Sequence, residues 1–141
     1  MNKQTSREIF KVLPAIVHAH LADEGRVSAV SLGDRFQVSS RSLNITLKRL
    51  VQSGVLYSQA GGNNPGYGFS KEPKDVLLYE IAKVVWNIDY PRCLLKEHLD
   101  GEDCMVCKII GRSVDLVINE LKQVSCMDYY NSLPEKIREE L

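Results

Sequence analysis

Apolar residues recur at helical spacing near the start of the chain. Between Ile9 and Leu21 they form one core-facing stripe, and Thr5 and Glu8 precede it at the spacing of a capping box. Pro14 lies inside the stripe and lacks the N–H that an α-helix uses for its hydrogen bonds. The pattern therefore predicts a helix that begins at Thr5 and is kinked, or lacks a hydrogen bond, at Pro14.

Two further apolar patterns of helical spacing follow at short intervals. Ser28 is placed to cap a short helix that runs to about Phe36, and Ser39 is placed to cap another helix that ends at Ser53-Gly54. The apolar positions of the later helix lie on one of its faces and are Leu43, Leu47, Leu50 and Val51. This stretch is predicted to form two helices joined by a tight turn.

The residues after this pair alternate as they do in strands. Val55 to Ser58 is predicted as a strand, and Tyr67 and Phe69 belong to a returning strand after a Gly/Asn-rich loop from Gln59 to Pro65. Helix, turn, helix and then a glycine-rich hairpin is the element order of a winged helix-turn-helix.

The second half of the chain returns to helical patterns. A helix from about Leu77 to Trp86 precedes a loop rich in cysteine and acidic residues, and a long helix from about Met105 to Val124 follows that loop. The long helix has apolar residues at the spacing of a coiled-coil seam, namely Val114, Val117, Leu121 and Val124. A last short helix is predicted to begin at Pro134.

These elements predict a mainly α fold with a small β-hairpin wing. We expect a winged helix-turn-helix domain at residues 1–72, and a region at residues 73–141 that holds the cysteine loop and a long dimerisation helix.

Composition narrows the class of protein. A chain of 141 residues with 44% hydrophobic content suits one domain with an appendage. No apolar stretch is long enough to span a membrane, and the first residues lack the order of a secretory signal, so we expect a cytoplasmic protein without membrane association. In that reducing compartment the four cysteines are expected to be core residues, reactive thiols or metal ligands rather than disulfides.

Charge is distributed unevenly along the chain. Residues 1–70 contain eight Lys/Arg and four Asp/Glu, whereas residues 71–141 contain ten and fourteen. The basic first half is typical of a surface that binds a polyanion, although its net charge of +4 is modest.

The polar face of the helix after Ser39 is the candidate for that surface. It carries Arg41, Asn44 and Lys48, with Ser40 at its amino end. A guanidinium and an amide can bind base edges in the major groove, and a lysine can bind phosphate, so this face indicates binding to double-stranded DNA. The alternative is an ordinary solvated helix face.

Three of the four cysteines fall within the fifteen residues CLLKEHLDGEDCMVC, which begin at Cys93 and also contain Cys104 and Cys107. Three thiolates can hold a 2Fe-2S or 4Fe-4S iron-sulfur cluster and leave one coordination position for another donor, for which His98 and Asp103 are local candidates. Zinc is the alternative metal, because three cysteines and a histidine make a tetrahedral Cys3His set. The remaining possibility is a metal-free protein with ordinary thiols.

Other cysteine and histidine side chains are not expected to bind metal: the cysteine is expected to pack, and the histidines to be core or surface residues. Cys126 lies beyond the long helix, and His18 and His20 lie near the end of the first one.

Almost the whole chain resembles the IscR/NsrR/CymR-type (Rrf-type) family of small dimeric winged-helix transcriptional regulators. The resemblance is carried by VSAVSLGDRFQVSSRSLNITLKRLVQSGVLYS in the helix-turn-helix, by the wing GGNNPGYGF and by DVLLYEIAKVV after it. A cysteine-bearing loop and a long helix complete the likeness. The cysteine gaps of ten and two residues differ from the even spacing that is usual in the family's cluster-binding members, and Ile110 stands where those members often have a histidine.

The resemblance implies a homodimeric DNA-binding regulator, not an enzyme, that binds a near-palindromic operator. It implies sensing of redox, nitric oxide or iron-sulfur status through a cluster on the cysteine loop, with Glu8 of the partner subunit as a possible further ligand. The alternatives are a cluster-free or zinc-binding regulator of the same fold, or a protein-binding adaptor that does not bind DNA. The residues expected to bind DNA are Ser28, Ser39, Ser40, Arg41, Asn44, Lys48, Asn63, Asn64 and Tyr67.

Overall fold

Helices and one β-hairpin make up the described parts of the chain. The structure is a computed structural model and describes residues 3–86 and 105–141, with side chains from Arg7 onward in the first range. The helices and strands are α1 (Lys3–Leu21), α2 (Ala29–Phe36), α3 (Ser40–Gln52), β1 (Leu56–Gln59), β2 (Gly66–Phe69), a 3₁₀ turn (Pro73–Asp75), α4 (Leu78–Trp86), α5 (Met105–Leu121), α6 (Cys126–Ser132) and α7 (Glu135–Glu139). This order confirms the predicted winged helix-turn-helix.

Serine caps fix the starts of the helix-turn-helix pair. The Ser28 Oγ accepts a hydrogen bond from the Ser31 amide at 3.1 Å, and the Ser39 Oγ accepts one from the Ser42 amide at 3.3 Å. Each bond satisfies one of the amides that a helix leaves unpaired at its amino end. Both predicted caps are confirmed.

The amino end of α1 differs from the prediction. The helix already includes Lys3, two residues before Thr5, so the prediction of a capping box at Thr5 is wrong. The stripe behind it is confirmed from Ile9 to Val17, whose apolar residues form one wall of the core, but Leu21 at its predicted end is 48% exposed. The helix includes polar residues ahead of the apolar stripe, and a capping signal in the sequence does not show that the helix begins earlier.

Pro14 does not break α1, and a side chain from the far end of the sequence replaces the hydrogen bond that Pro14 removes. In a regular helix the Phe10 carbonyl would accept from the amide of residue 14, which proline lacks. The Tyr129 hydroxyl instead donates to the Phe10 carbonyl oxygen at 2.8 Å. Burial raises the pKa of Tyr129, so its phenol keeps the proton that it donates.

We expect Tyr129→Phe to lower the free energy of unfolding by about 1–2 kcal/mol, since it leaves the Phe10 carbonyl without a donor. Urea denaturation followed by circular dichroism measures this change. Tyr57→Phe is the matched control, because Tyr57 lies in β1, away from Pro14. Equal effects of the two substitutions would contradict the role assigned to Tyr129.

The core joins both halves of the sequence. Cys126 and Tyr130 of α6 lie in the same buried cluster as Leu13 of α1 and Leu47 of α3, and Ile81 of α4 completes it. The Tyr130 hydroxyl also lies 2.8 Å from the His18 Nδ1, so His18 has a packing role as expected. The boundary predicted at residue 72 stays a prediction.

The long helix α5 ends at Leu121, three residues before the predicted end at Val124. The chain then turns and runs beside the residues before α4: the Leu78 amide donates to the Val124 carbonyl at 2.8 Å, and the Cys126 amide donates to the Val76 carbonyl at 2.8 Å. These long-range bonds hold Val124 outside the helix. They also position α6, which begins with a Ser125–Asp128 capping box.

Candidate nucleic-acid interface

The polar stripe of α3 is exposed at the surface. Leu43, Leu47 and Leu50 are buried, and the opposite side of the helix therefore presents Arg41 and Lys48 to solvent. Half-buried on the same side are Ser40 and Asn44. The predicted division of α3 into an apolar and a polar face is confirmed.

The hairpin is attached directly to the start of α2. The Val27 amide donates to the Tyr67 carbonyl at 2.9 Å, and the Tyr67 amide donates to the Val27 carbonyl at 2.8 Å. Within the hairpin, β1 and β2 are antiparallel with Leu56 opposite Phe69. The wing and the helix-turn-helix therefore form one connected surface.

Gly66 makes this attachment possible. Its φ is +143°, and a Cβ at this position would lie 2.5 Å from both the carbonyl carbon and the oxygen of Val27. Such distances are far below van der Waals contact, so only glycine allows β2 to approach the backbone before α2 this closely.

Tyr67 connects the wing to the polar face of α3. Its side chain is only 7% exposed, and its hydroxyl donates a hydrogen bond to the Asn44 Oδ1. Burial raises the pKa of Tyr67, so the phenol remains protonated near neutral pH. Both residues are among those predicted to bind DNA, but their contact has no signal in the sequence.

A cleft of about 320 Å³ lies between α3, the start of α2 and the wing. Its polar lining includes Ser28, Ser40, Arg41, Asn44 and Tyr67, five of the residues expected to bind DNA. Folding thus brings together residues from three separate segments of the sequence.

The tip of the wing is held by Asn64 and Arg26. The Asn64 Nδ2 donates to the Glu24 carbonyl at 2.6 Å and to the Arg26 carbonyl at 3.3 Å, and the Arg26 Nε donates to the Asn64 carbonyl at 2.5 Å. Both Asn64 donors face the turn after α1, whereas Asn63 is exposed. Arg26 is not among the predicted residues, because its partner Asn64 is distant in sequence and leaves no local signal.

The candidate metal ligands fall mostly outside the described residues. Cys93, His98, Asp103 and Cys104 lie there, as does most of the predicted cysteine loop. Of the others, Cys107 is buried in the first turn of α5 and Glu8 is half-buried on α1. Within residues 3–86 and 105–141, no group of three or more His, Cys, Asp or Glu side chains is placed to hold a metal ion.

Cys126 is a core residue, as expected from its position. It is fully buried, and desolvation, with a smaller effect of the Glu80 charge, raises the pKa of its thiol to about 12. A thiol with such a pKa stays protonated and is a poor nucleophile and a poor metal ligand.

Among the helices that the structure describes, none has the length and apolar content to cross a bilayer.

The fold and the exposed face of α3 define a winged helix-turn-helix protein. No protein-family model matches the chain. A protein of Lactococcus lactis subsp. lactis (strain IL1403), provisionally described as the HTH-type transcriptional regulator YffB, is 25% identical over 118 residues, which span 78% of this chain and 75% of the relative.

Solved structures of two kinds of regulator share this fold. CymR (YrzC), the global cysteine regulator of B. subtilis, aligns with a TM-score of 0.72 and 19% identity over 95% of this chain and 98% of CymR. T. potens IscR aligns with a TM-score of 0.68 and 21% identity over 96% of this chain and 89% of IscR. Staphylococcus aureus CymR aligns with a TM-score of 0.69 and 14% identity over 94% of this chain and 99% of that CymR. The chain therefore has the winged-helix fold of the CymR- and IscR-type regulators. Its resemblance to them is confirmed, and the named proteins that it is similar to are regulators rather than enzymes.

Proposed function

We propose that this protein is a homodimeric transcriptional regulator that binds double-stranded DNA through α3. The observation that carries the proposal is the polar stripe of α3, with Arg41 and Lys48 exposed and Asn44 half-buried, on a helix whose other face is buried. An α-helix fits the major groove of B-DNA, and the side chains of its first turns reach base edges there. The similarity to transcriptional regulators supports the same conclusion.

The residues around α3 suit contacts with the phosphate backbone. Lys48 lies two turns after Arg41 on the exposed face and supplies a cation to a phosphate. Backbone amides at the starts of α2 and α3, next to Ser28 and Ser39, favour anions. Asn63 at the wing tip is free to follow an adjacent groove.

A second copy of the chain is the proposed partner of α5. Among the described residues of this helix only Cys107 is buried. Its exposed apolar side chains are Met105, Val106, Ile109, Ile110, Leu116 and Val117. A helix of 17 residues is marginally stable alone in water, so burial of this apolar face against a symmetry mate would stabilise it. A dimer presents two recognition helices about 34 Å apart and binds a near-palindromic operator.

The DNA-binding proposal is tested by Arg41→Ala in gel-shift titrations with promoter DNA. We expect a loss of affinity of about 10- to 100-fold, which corresponds to one lost base or phosphate contact. The matched control is Lys136→Ala, because Lys136 is an exposed basic residue on α7, outside both α3 and the proposed dimer helix α5. If the wild-type protein binds no DNA, the adaptor alternative replaces this proposal; if both variants bind equally well, the assignment of α3 is wrong.

We further propose that Cys93, Cys104 and Cys107 hold an iron-sulfur cluster, which would make the regulator sensitive to redox state, nitric oxide or iron-sulfur supply. The position of Cys107 in the first turn of α5 supports this, since helix amides there stabilise a thiolate. Iron, sulfide and zinc contents of anaerobically purified protein, compared between wild type and Cys107→Ser, separate the cases. Iron with sulfide supports the cluster, zinc alone supports the Cys3His alternative, and absence of both supports a metal-free regulator.

A further inference from the structure

The hydrogen bond between Tyr67 and Asn44 determines which atoms of Asn44 face the cleft. The Oδ1 accepts from the Tyr67 hydroxyl, and among the described residues the Nδ2 has no hydrogen-bond partner. An asparagine amide has one acceptor group and one donor group on opposite sides of the same carbon. When the acceptor is turned toward the wing, the donor is left for a ligand.

Tyr67 is well suited to hold the amide in this orientation. Its ring is buried, and its backbone amide and carbonyl are both hydrogen-bonded to Val27, so the hydroxyl has a fixed position. Asn44 itself is half-buried on α3, which limits its alternatives.

We propose that Tyr67 is a positioning residue that makes Asn44 act as a hydrogen-bond donor in base recognition, and thereby directs the protein to guanine at the contacted position. The inference rests on the proposed binding of DNA through α3. Guanine presents two acceptors, N7 and O6, in the major groove. An asparagine that binds adenine turns Oδ1 and Nδ2 together toward the base, and here the hydrogen bond from Tyr67 turns the Oδ1 toward the wing.

The neighbouring cation reinforces this selectivity. Arg41 lines the same cleft, and a guanidinium has donors but no acceptor. Arg41 and the donor side of Asn44 together present only donors to the groove. The cleft is therefore complementary to bases that present acceptors side by side.

The experiment begins with selection of binding sites from a pool of randomised duplexes by the wild-type protein. The position that Asn44 contacts is the one whose base preference disappears in Asn44→Ala. Affinities are then measured for four duplexes that differ only at that position. The wild-type protein is expected to prefer guanine, and in Tyr67→Phe the affinity for adenine relative to guanine is expected to rise about tenfold, because the amide is then able to turn.

A purely structural role of Tyr67 predicts a different result, since a loosened wing lowers affinity for all four duplexes by the same factor. Tyr57→Phe is the matched control and should keep the wild-type ratio: Tyr57 is in the same hairpin, and its ring lies against Gly68. An unchanged ratio in folded Tyr67→Phe, or a wild-type preference for adenine, would overturn the inference.

Asn44→Asp provides a second test that leaves Tyr67 in place and remains decisive if Tyr67→Phe fails to fold. A carboxylate keeps the acceptor that Tyr67 binds and removes the Nδ2 donor. We expect the preference for guanine to be lost and the relative affinity for cytosine, which presents an N4 donor, to rise. Retention of the wild-type preference would show that Asn44 contacts the base through its oxygen rather than through Nδ2, and would overturn the inference. If the wild-type protein selects no sequence at all, the proposed function fails and this inference fails with it.

Discussion

Gly66→Ala is expected to lower the free energy of unfolding by about 2–4 kcal/mol, a large effect for the addition of one methyl group. The new Cβ would lie 2.5 Å from the backbone of Val27, and a backbone atom cannot move aside as the end of a flexible side chain can. The hairpin must therefore separate from the start of α2, which breaks the two hydrogen bonds between Val27 and Tyr67. Because Tyr67 then loses its position beside Asn44, we also expect DNA affinity to fall.

Gly61→Ala is the matched control for this substitution. Gly61 also has a positive φ, of +75°, but a Cβ there meets nothing within 4 Å. Gly61→Ala is expected to lower the free energy of unfolding by about 1 kcal/mol, which is the strain of alanine in a left-handed backbone conformation. Urea denaturation of both variants measures the difference. Equal destabilisation would show that the close approach at Gly66 contributes nothing beyond its backbone conformation.

The helix-turn-helix could be predicted from sequence because its signals are local. Ser28 and Ser39 each precede a run of apolar residues at helical spacing, and each caps its helix as predicted. The wing was equally visible, since Tyr67 and Phe69 alternate after a glycine-rich loop. In these segments short-range propensity and long-range packing favour the same structure.

Predictions failed where distant contacts decide the structure. The end of α5 is set by the pairing of Val124 with Leu78, forty-six positions earlier in the numbering, and the periodic apolar pattern continues past that point. The helix α6 was not predicted, although Ser125 and Asp128 have the spacing of a capping box that could have revealed it. Tyr129, in contrast to α6, has no local signal for its bond to Phe10, because the two residues are distant in sequence.

The candidate site was partly predictable for the same reason. The exposed stripe of α3 follows from one helix and its periodicity. The contact of Tyr67 with Asn44 joins two elements separated by a loop, and the anchoring of Asn64 by Arg26 joins the wing to the turn after α1. Periodicity places Arg41, Asn44 and Lys48 on one face of α3, whereas only the structure shows that Asn44 is bonded to Tyr67.

The apolar face of α5 is the feature with the largest expected effect on function. Ile109 and Leu116 lie two turns apart on this helix and are 53% and 62% exposed. We expect the double substitution Ile109→Glu with Leu116→Glu to convert a dimer to a monomer, since four like charges, two from each subunit, would then meet in an apolar interface. Size-exclusion chromatography with light scattering measures the mass of both proteins at equal concentration.

Loss of the dimer should weaken operator binding far more than any single contact does. Two linked recognition helices gain affinity because the second one binds at high effective concentration, so the monomer is expected to bind a two-half-site operator about 100-fold or more weakly. Its affinity for an isolated half-site should stay unchanged. Ile137→Glu is the matched control, because Ile137 is 45% exposed but belongs to α7. A wild-type protein that is monomeric would refute the proposed dimer, and a double variant that remains dimeric would place the interface on another surface.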